Sequence, residues 1–473
     1  MKFGEVAYRR SPIPVQTMLL NLKAVELYLE RYGPKFRRLF DQFAERQWRP
    51  MAEQAAYQDE QLRRLIQHAY ESVPYYRDLM NERGLTPSDF KGADDLPKLP
   101  VLTKDDVRRH HHRLMSTKYP KLLLRHGHTS GTTGSPLDFH YDINTCVIHH
   151  VADWRYKLGA GLTYGQPYAS VLGRVIVPIT QDRPPFWRKN YINNQLFMSS
   201  FHLKRENLPY YFDKLRGANV QTIEAYPSTA YLLARYLLDT GQHFPLKSVL
   251  TSSETLFDDQ RAAIESAFRC KVFDAYGMAE RVVFATECDQ HSGLHLNTDY
   301  GYVEYLDSQD RAASPGALAK VVATGLHNFA MPLIRYTTGD ASALKSGTCR
   351  CGRGFPLVES VTTKWESIVT LPDGRLISPS VLTHPFKPMK NVRESQLIQE
   401  RVDELIVKIV RREGYSDRDD AALIAGFHER LGEQIKIRIV HVDSIPRTNN
   451  AKFRWVISQI PPSFAGTAAE RVG

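Results

Sequence analysis

Four hydroxyls and two glycines fall together at Thr129, Ser130, Gly131, Thr132, Thr133 and Gly134. Glycine reaches backbone angles closed to other residues, so consecutive N–H groups in such a run can converge into a nest for an anion. The hydroxyls add side-chain donors. This is chemistry suited to wrapping a triphosphate, and it points to an enzyme that uses ATP. The same composition also describes a solvated turn, so the run needs support from the rest of the chain. It is not a Walker A loop, which requires Lys and then Ser or Thr after its last glycine; here Ser135 and Pro136 follow Gly134.

The elements that must position this loop follow from periodicity. Residues 15 to 115 read as helices: Gln61, Leu62, Leu65, Ile66 and Ala69 recur at helical spacing, Val73-Pro74 ends that helix, and Thr103 is placed to cap the next one. From about residue 120 strands alternate with helices. Val220 to Ala225 is strand-like, Ser228 is placed to cap a helix from Thr229 to Leu238, and Ser248 to Thr251 is the next strand. This alternation predicts a mostly parallel sheet whose ligands sit beyond the carboxyl ends of its strands. Two polar segments occupy that position: Thr251-Ser252-Ser253-Glu254, and Asp274 to Glu280, which includes Tyr276 and Gly277.

Composition changes again near residue 360. Beyond it, Leu405 to Val410 and Ile435 to Val440 read as strands around a helix from Asp417 to Leu431, with Ser416 and Asp419 forming a capping box and Gly432 closing it. The expected architecture is therefore α/β: a large multi-layer N-terminal domain, residues 1–362, with a mostly parallel sheet and a helical N-terminal segment, and a small mobile α+β domain, residues 363–473. The tail from Pro461 is expected to be loose. At 473 residues, two domains are the sensible prior.

The chain is 42% hydrophobic and 24% charged, as a globular protein is. Its start has too short an apolar stretch for a signal peptide, and no segment approaches a membrane span, so a cytoplasmic location is expected. The net charge of +10 favours acidic partners such as a nucleotide, coenzyme A, an acidic sugar or an anionic surface. Nucleic acid is not among the expected partners, because the basic residues are dispersed and no reader motif accompanies them. Five cysteines argue against a disulfide framework and for free thiols or metal ligation.

Read in order, the chain carries Ser130-Gly-Thr-Thr-Gly134, Ser252-Ser253-Glu254, Tyr276-Gly-Met-Ala-Glu280 and Arg335-Tyr-Thr-Thr-Gly-Asp340, preceded by His68 to Tyr76 and by Pro100-Val-Leu-Thr-Lys104. In this order they resemble the adenylate-forming ligase superfamily, on its phenylacetate–CoA ligase-like and capsule-biosynthesis branch. The resemblance implies adenylation of a carboxylic acid by ATP with release of pyrophosphate, followed by acyl transfer to CoA. It implies a phosphate loop at Thr129 to Gly134, an adenine-side segment at Ser253 and Glu254, and stacking of Tyr276, next to Gly277, on adenine. It further implies that Asp340 accepts the ribose hydroxyls and that Glu280 ligates Mg²⁺.

Ile445 to Arg454 resembles the loop of the small domain whose lysine, here Lys452, meets the α-phosphate and acyl carboxylate. The glycine usual before that lysine is Ala451, and the usual hinge pattern is replaced by Thr363 to Ser367. Cys288, His295, Cys349 and Cys351 match a structural Zn²⁺ site of this branch, with His291 as a rival ligand. Two other readings stay open: an amide or other acyl or nucleotidyl product formed with an amine or another acceptor, and a nucleotide-binding protein without catalysis. The acid is not specified by the motifs; Tyr168, Leu172, Val175, Tyr226 and Pro227 are candidate lining residues, while His149 and His150 carry no assigned role.

Overall fold

The computed structural model describes residues 3–129, 137–307, 309–317, 319–359, 369–377, 379–446 and 455–460. The N-terminal helices are α1 (Phe3–Arg10), α2 (Ile13–Arg31), α3 (Pro34–Arg46), α4 (Met51–Ser72), α5 (Pro74–Glu82) and α6 (Lys104–Arg109). Val73-Pro74 separates α4 from α5, as the proline requires, because the residue before it is pushed out of the helical region. Thr103 caps α6: its hydroxyl accepts from the Asp106 N–H at 3.1 Å and the Asp106 carboxylate accepts the return bond from Thr103 N.

A hairpin follows, β1 (Arg125–Thr129) antiparallel to β2 (Leu137–Tyr141), with Thr129 directly opposite Leu137. Next come α7 (Ile143–Gly159), β3 (Tyr168–Val171), β4 (Trp187–Asn190), β5 (Gln195–Met198), α8 (Leu208–Gly217), β6 (Thr222–Ala225), α9 (Pro227–Asp239), β7 (Ser248–Ser252), α10 (Asp258–Phe268) and β8 (Lys271–Gly277). Strands β5-β3-β6-β7-β8 are parallel neighbours, the sheet that the alternation predicted. Antiparallel strands extend it at both edges: β4 on one side, and β9 (Phe284–Thr286), β10 (Leu294–Leu296) and a short later strand at Leu357–Val358 on the other. Leu196, Ile223, Val249 and Val272 are fully or almost fully buried against α8, α9 and α10, which makes this the core of the parallel sheet.

The predicted cap of α9 needs correction. The helix begins two residues earlier than expected, with Pro227 at its first position and Tyr226 as N-cap. Proline is favoured there because its missing N–H would have had no partner. The acceptor comes from elsewhere in the chain, since Glu254 Oε2 takes the Ser228 N–H at 3.1 Å.

Strands β11 (Gly301–Leu306), β12 (Ala319–Gly325) and β13 (Tyr336–Ser342) form a separate antiparallel sheet packed on α4 and α5. It carries the Arg335 to Asp340 motif. The strand at Leu357–Val358, β14, then precedes the C-terminal unit of β15 (Val369–Thr370), β16 (Leu376–Ile377), α11 (Pro379–Leu382), β17 (Val392–Arg401), β18 (Glu404–Arg411), α12 (Asp417–Leu431), β19 (Lys436–His441) and β20 (Val456–Ser458). Its four-stranded sheet runs β19-β18-β17-β20 with α12 against it, and the capping box of Ser416 and Asp419 and the terminal Gly432 stand where expected. Phe201, Val175 and Tyr226 of the large domain pack on this unit's core, and Arg375 donates to Phe201 O at 2.8 Å. The domain boundary expected at 362/363 lies outside the described residues. No helix among the described residues is long and apolar enough to cross a membrane.

Candidate functional site

The predicted phosphate run lies mostly outside the described residues: Ser130, Gly131, Thr132, Thr133 and Gly134 are not described, and of Thr129 only the backbone, as the last residue of β1. Lys452 and the stretch Thr363 to Ser367 are also outside them. The remaining predicted residues can be placed one by one.

Tyr276, near the end of β8, and Asp340, in β13, come from different sheets and meet: the Tyr276 hydroxyl donates to Asp340 Oδ2 at 2.7 Å. Asp340 N donates to Thr338 Oγ1 at 3.1 Å. Gly339 turns this segment with φ +85°, an angle costly for a side-chain-bearing residue, and a Cβ there would stand 3.2 Å from Lys104 Nζ. Gly277 is required for closeness rather than angle, since a Cβ would approach the Phe284 ring to 2.8 Å.

Glu280 lies just beyond β8 and is 3% exposed. One carboxylate oxygen, Oε1, accepts from the Tyr336 hydroxyl at 2.8 Å. The other, Oε2, is buried with no hydrogen-bond partner among the described residues. Burial pushes the carboxyl above its ordinary value, against the opposing pull of the Lys104 ammonium and the Tyr336 hydroxyl. The Asp340 carboxyl is raised by the same desolvation, with Tyr276 and Lys104 pulling it down. A buried, half-satisfied carboxylate beside a second one is suited to receive a divalent cation, so the donor set fits Mg²⁺.

Lys104 was missed as a site residue in the sequence. It was visible only as part of Pro100 to Lys104 and lies far from Glu280 and Asp340 along the chain. The parallel bridge from Leu102 to Tyr336 closes that gap, with Leu102 N bonded to Arg335 O at 2.8 Å and Thr337 N to Leu102 O at 3.0 Å. Arg335 itself is a buried structural partner: its Nη2 lies 2.8 Å from Glu304, and its Nη1 donates to Leu99 O. Glu280 pairs with neither Arg335 nor Arg281; the Arg281 guanidinium stacks 4.0 Å over the Tyr141 ring.

Three non-glycine residues around these groups hold positive φ: Ser253 at 71°, Arg281 at 59° and Arg335 at 53°. Such angles cost about 1 kcal/mol or more each and persist where surrounding structure fixes them, commonly at functional sites. Ser253 follows β7, and the Glu254 carboxylate beside it is engaged at the start of α9.

A second cluster joins Cys288, His295, Cys349 and Cys351, whose ligand atoms all lie within 4.8 Å of one another. Cys288 Sγ is 3.6 Å from Cys349 Sγ, and His295 Nε2 is 3.3 Å from Cys351 Sγ. Burial raises the Cys288 thiol to about 12 and lowers His295 to about 4, so the imidazole is neutral as a ligand must be. Three sulfurs and one imidazole nitrogen in this compass fit a tetrahedral zinc site. The rival His291 is engaged elsewhere, its Nδ1 standing 3.3 Å from Glu287 Oε2 and 3.4 Å from Arg261.

Of the candidate lining residues, Tyr168 and Leu172 border a cavity of about 540 Å³, together with the two unassigned histidines, His149 and His150. Val175 and Tyr226 instead pack against the core of the C-terminal unit. Pro227 is buried as the first residue of α9. Cys146 also lines the cavity.

Residues 369–459 match the CapK C-terminal domain family. Over 468 residues the chain is 26% identical to protein CapK of Staphylococcus aureus, covering 96% of this chain and 99% of that one. Its homologues include CapK and the phenylacetate–CoA ligases. The phenylacetate–coenzyme A ligase of Thermus thermophilus is 26% identical over 329 residues, 64% of this chain and 68% of that protein. Among solved structures, 2-hydroxyisobutyryl-CoA ligase in complex with 2-HIB-AMP and CoA superposes with a TM-score of 0.60 at 23% identity, covering 87% of this chain and 91% of that one. The chain thus has the fold of the adenylate-forming ligases, as its ordered motifs implied.

Proposed function

We propose that the protein is an ATP- and Mg²⁺-dependent ligase that activates a carboxylic acid as its acyl adenylate and transfers the acyl group to a thiol, coenzyme A. The observation that carries this reading is the meeting of Tyr276 and Glu280 with Asp340 and Lys104, drawn from three separate chain segments onto one patch around the buried Glu280. In the first step a carboxylate oxygen of the acid attacks the α-phosphorus of ATP and the bond to the β-phosphate breaks, releasing pyrophosphate. Such a displacement needs positioning and charge neutralisation more than proton transfer.

Within this reading Asp340 accepts the ribose hydroxyls and is held in orientation by Tyr276, whose ring faces adenine. Glu280 supplies the carboxylate for Mg²⁺, which neutralises phosphate charge when bound. Lys104 and Lys452 bring ammonium groups to the phosphate and the acyl carboxylate. Thr129 to Gly134 cradle the β- and γ-phosphates, with Ser253 and Glu254 on the adenine side next to Gly277. In the second step the sulfur of CoA attacks the acyl carbon and AMP leaves. Cys288, His295, Cys349 and Cys351 hold zinc in a structural role, remote from this chemistry. The cytoplasm, with its supply of ATP and CoA, is the fitting compartment.

A second reading, in which an amine or another nucleophile takes the acyl group, is kept because the relative matched over most of the chain has a name that specifies no acceptor. Likeness to CapK spans almost the whole chain, whereas likeness to the Thermus thermophilus ligase spans 64% of it. The test is pyrophosphate release with a panel of carboxylic acids, with CoA, with amines and with neither, and mass identification of the products. A thioester supports the first reading and an amide the second. ATP binding without pyrophosphate release from any acid leaves only a nucleotide-binding protein.

A further inference from the structure

The 540 Å³ cavity lies between α2, α7 and strands β3 to β6, and its size is that of a small-molecule site. Its wall includes Arg281, the residue that follows Glu280 of the proposed adenylation site. A pocket for an arylacetic tail would be lined mainly by apolar groups. This one carries three guanidinium groups, those of Arg31, Arg174 and Arg281, from three different elements.

Their partners are unusual. Among the described residues none of the three is in an ion pair. Arg31 Nη1 is 3.0 Å from His150 Nε2, Arg174 lies 5.9 Å from the Phe197 ring centroid, and Arg281 stacks on Tyr141. Arg281 Nη1 is buried with no hydrogen-bond partner among the described residues, a cost of the kind that a bound acceptor removes. Lys157, by contrast, is neutralised, with Asp153 at 2.9 Å and Glu224 at 3.3 Å. Burial, then the charges of Arg281, Arg31 and Lys157, lower His149 to about 3, so this histidine adds no charge. Burial and the charge of Arg31 hold His150 well below its ordinary value as well. The carboxylates of Asp153 and Glu224 line the same wall and attract Arg174 as well as Lys157, so the cavity keeps a net positive charge carried chiefly by Arg31 and Arg281, planar donors suited to carboxylate or phosphate oxygens.

We propose that the acid accepted here carries a second anionic group: its reacting carboxylate lies toward Arg281 and Glu280, and its distal anion meets Arg31 and Arg174. The proposal deepens the adenylation reading and rests on it for the identity of the reacting end. A distal carboxylate and a distal phosphate or phosphonate share the required chemistry.

Three probes built on one arylacetate core separate these: phenylacetate, 4-carboxyphenylacetate and 4-phosphonophenylacetate. Each is assayed by acid-dependent ATP–pyrophosphate exchange and, without ATP, by calorimetric binding to the full chain. One or both dianionic acids should exceed phenylacetate in kcat/KM and in affinity by about 5-fold, the scale of ion pairs open to solvent, as those at half-buried Arg31 and exposed Arg174 are. The better of the two identifies the distal group. Arg174→Met and Arg31→Met should collapse that ratio toward one, a readout that a general loss of folding would not give. Equal or stronger use of phenylacetate, or a ratio unmoved in both variants, overturns the proposal. If no probe supports exchange but a dianionic probe binds more tightly than phenylacetate, the cavity assignment stands and the adenylation reading fails. If none binds, the cavity assignment fails.

Discussion

Glu280 has one oxygen bonded and one buried without a partner, and this asymmetry makes its behaviour predictable. Its raised pKa means that the carboxyl takes up a proton at a pH where a free glutamate stays ionised. Activity that needs the carboxylate must therefore fall, as pH decreases, through a limb lying above the ordinary range near pH 4.3. Glu280→Gln should lower adenylation by about 10²-fold or more, as loss of a key electrostatic group does. A pH–rate profile for kcat/KM of MgATP whose acid limb falls at or below the ordinary glutamate value of about pH 4.3 would contradict the assignment.

The sign for stability is opposite. Between the unfolded and the raised folded pKa the native chain binds more protons, so stability declines as pH rises through that window. Glu280→Gln should thus raise the melting temperature at pH 8 and leave it nearly unchanged at pH 4, as differential scanning fluorimetry would show. Lys104 shares the patch: Lys104→Met should raise KM for ATP or lower kcat by about 10-fold or more and push the acid limb further upward, since its ammonium opposes the effect of burial.

At the scale of elements, the zinc-like cluster ties β10 and the Cys349 to Arg353 turn to the N-terminal helices. Arg353 Nε donates to Gln47 Oε1 at 3.0 Å, and its guanidinium lies 5.0 Å over the Trp48 ring. Purified protein should contain about one equivalent of zinc, the stoichiometry of a closed four-ligand structural site. Cys349→Ser or chelation should lower the melting temperature without changing KM for ATP. Metal content well below one equivalent, with no loss on Cys349→Ser, would remove the site.

These elements also show what could be read from the sequence. Caps at Thr103 and Ser416 were legible because both partners lie three residues apart. The cap of α9 was not, because its acceptor, Glu254, is 26 residues away from Ser228. Lys104 escaped for the same reason on a larger scale: only the Leu102–Tyr336 bridge brings it to β13. The carboxylates and thiols stood out by type and order, whereas the cavity's arginines belonged to dispersed positions with no shared spacing.

At the scale of the molecule, the parallel sheet and the α+β unit were both legible, since period and turn residues specify them locally. The packing of Phe201, Val175 and Tyr226 against the C-terminal core was not, because it joins side chains from distant strands and loops. If that unit delivers Lys452 during adenylation, Lys452→Ala should slow pyrophosphate release by roughly 10²-fold and leave ATP affinity nearly intact in equilibrium binding. Unchanged adenylation would sink that role.

The β1–β2 hairpin has a further consequence. Thr129 and Leu137 are register partners, so residues 130–136 leave and re-enter the fold at directly opposed positions. Their ends are already joined before any ligand arrives, and chain entropy sets the penalty for changing the length between them. Adding two residues there costs only about 0.2 kcal/mol of loop-closure free energy. A two-glycine insertion after Gly134 should therefore leave the denaturation midpoint almost unmoved while raising KM for ATP severalfold. If residues 130–136 hold the phosphates of ATP as proposed, their length is constrained by that ligand far more than by the stability of the fold.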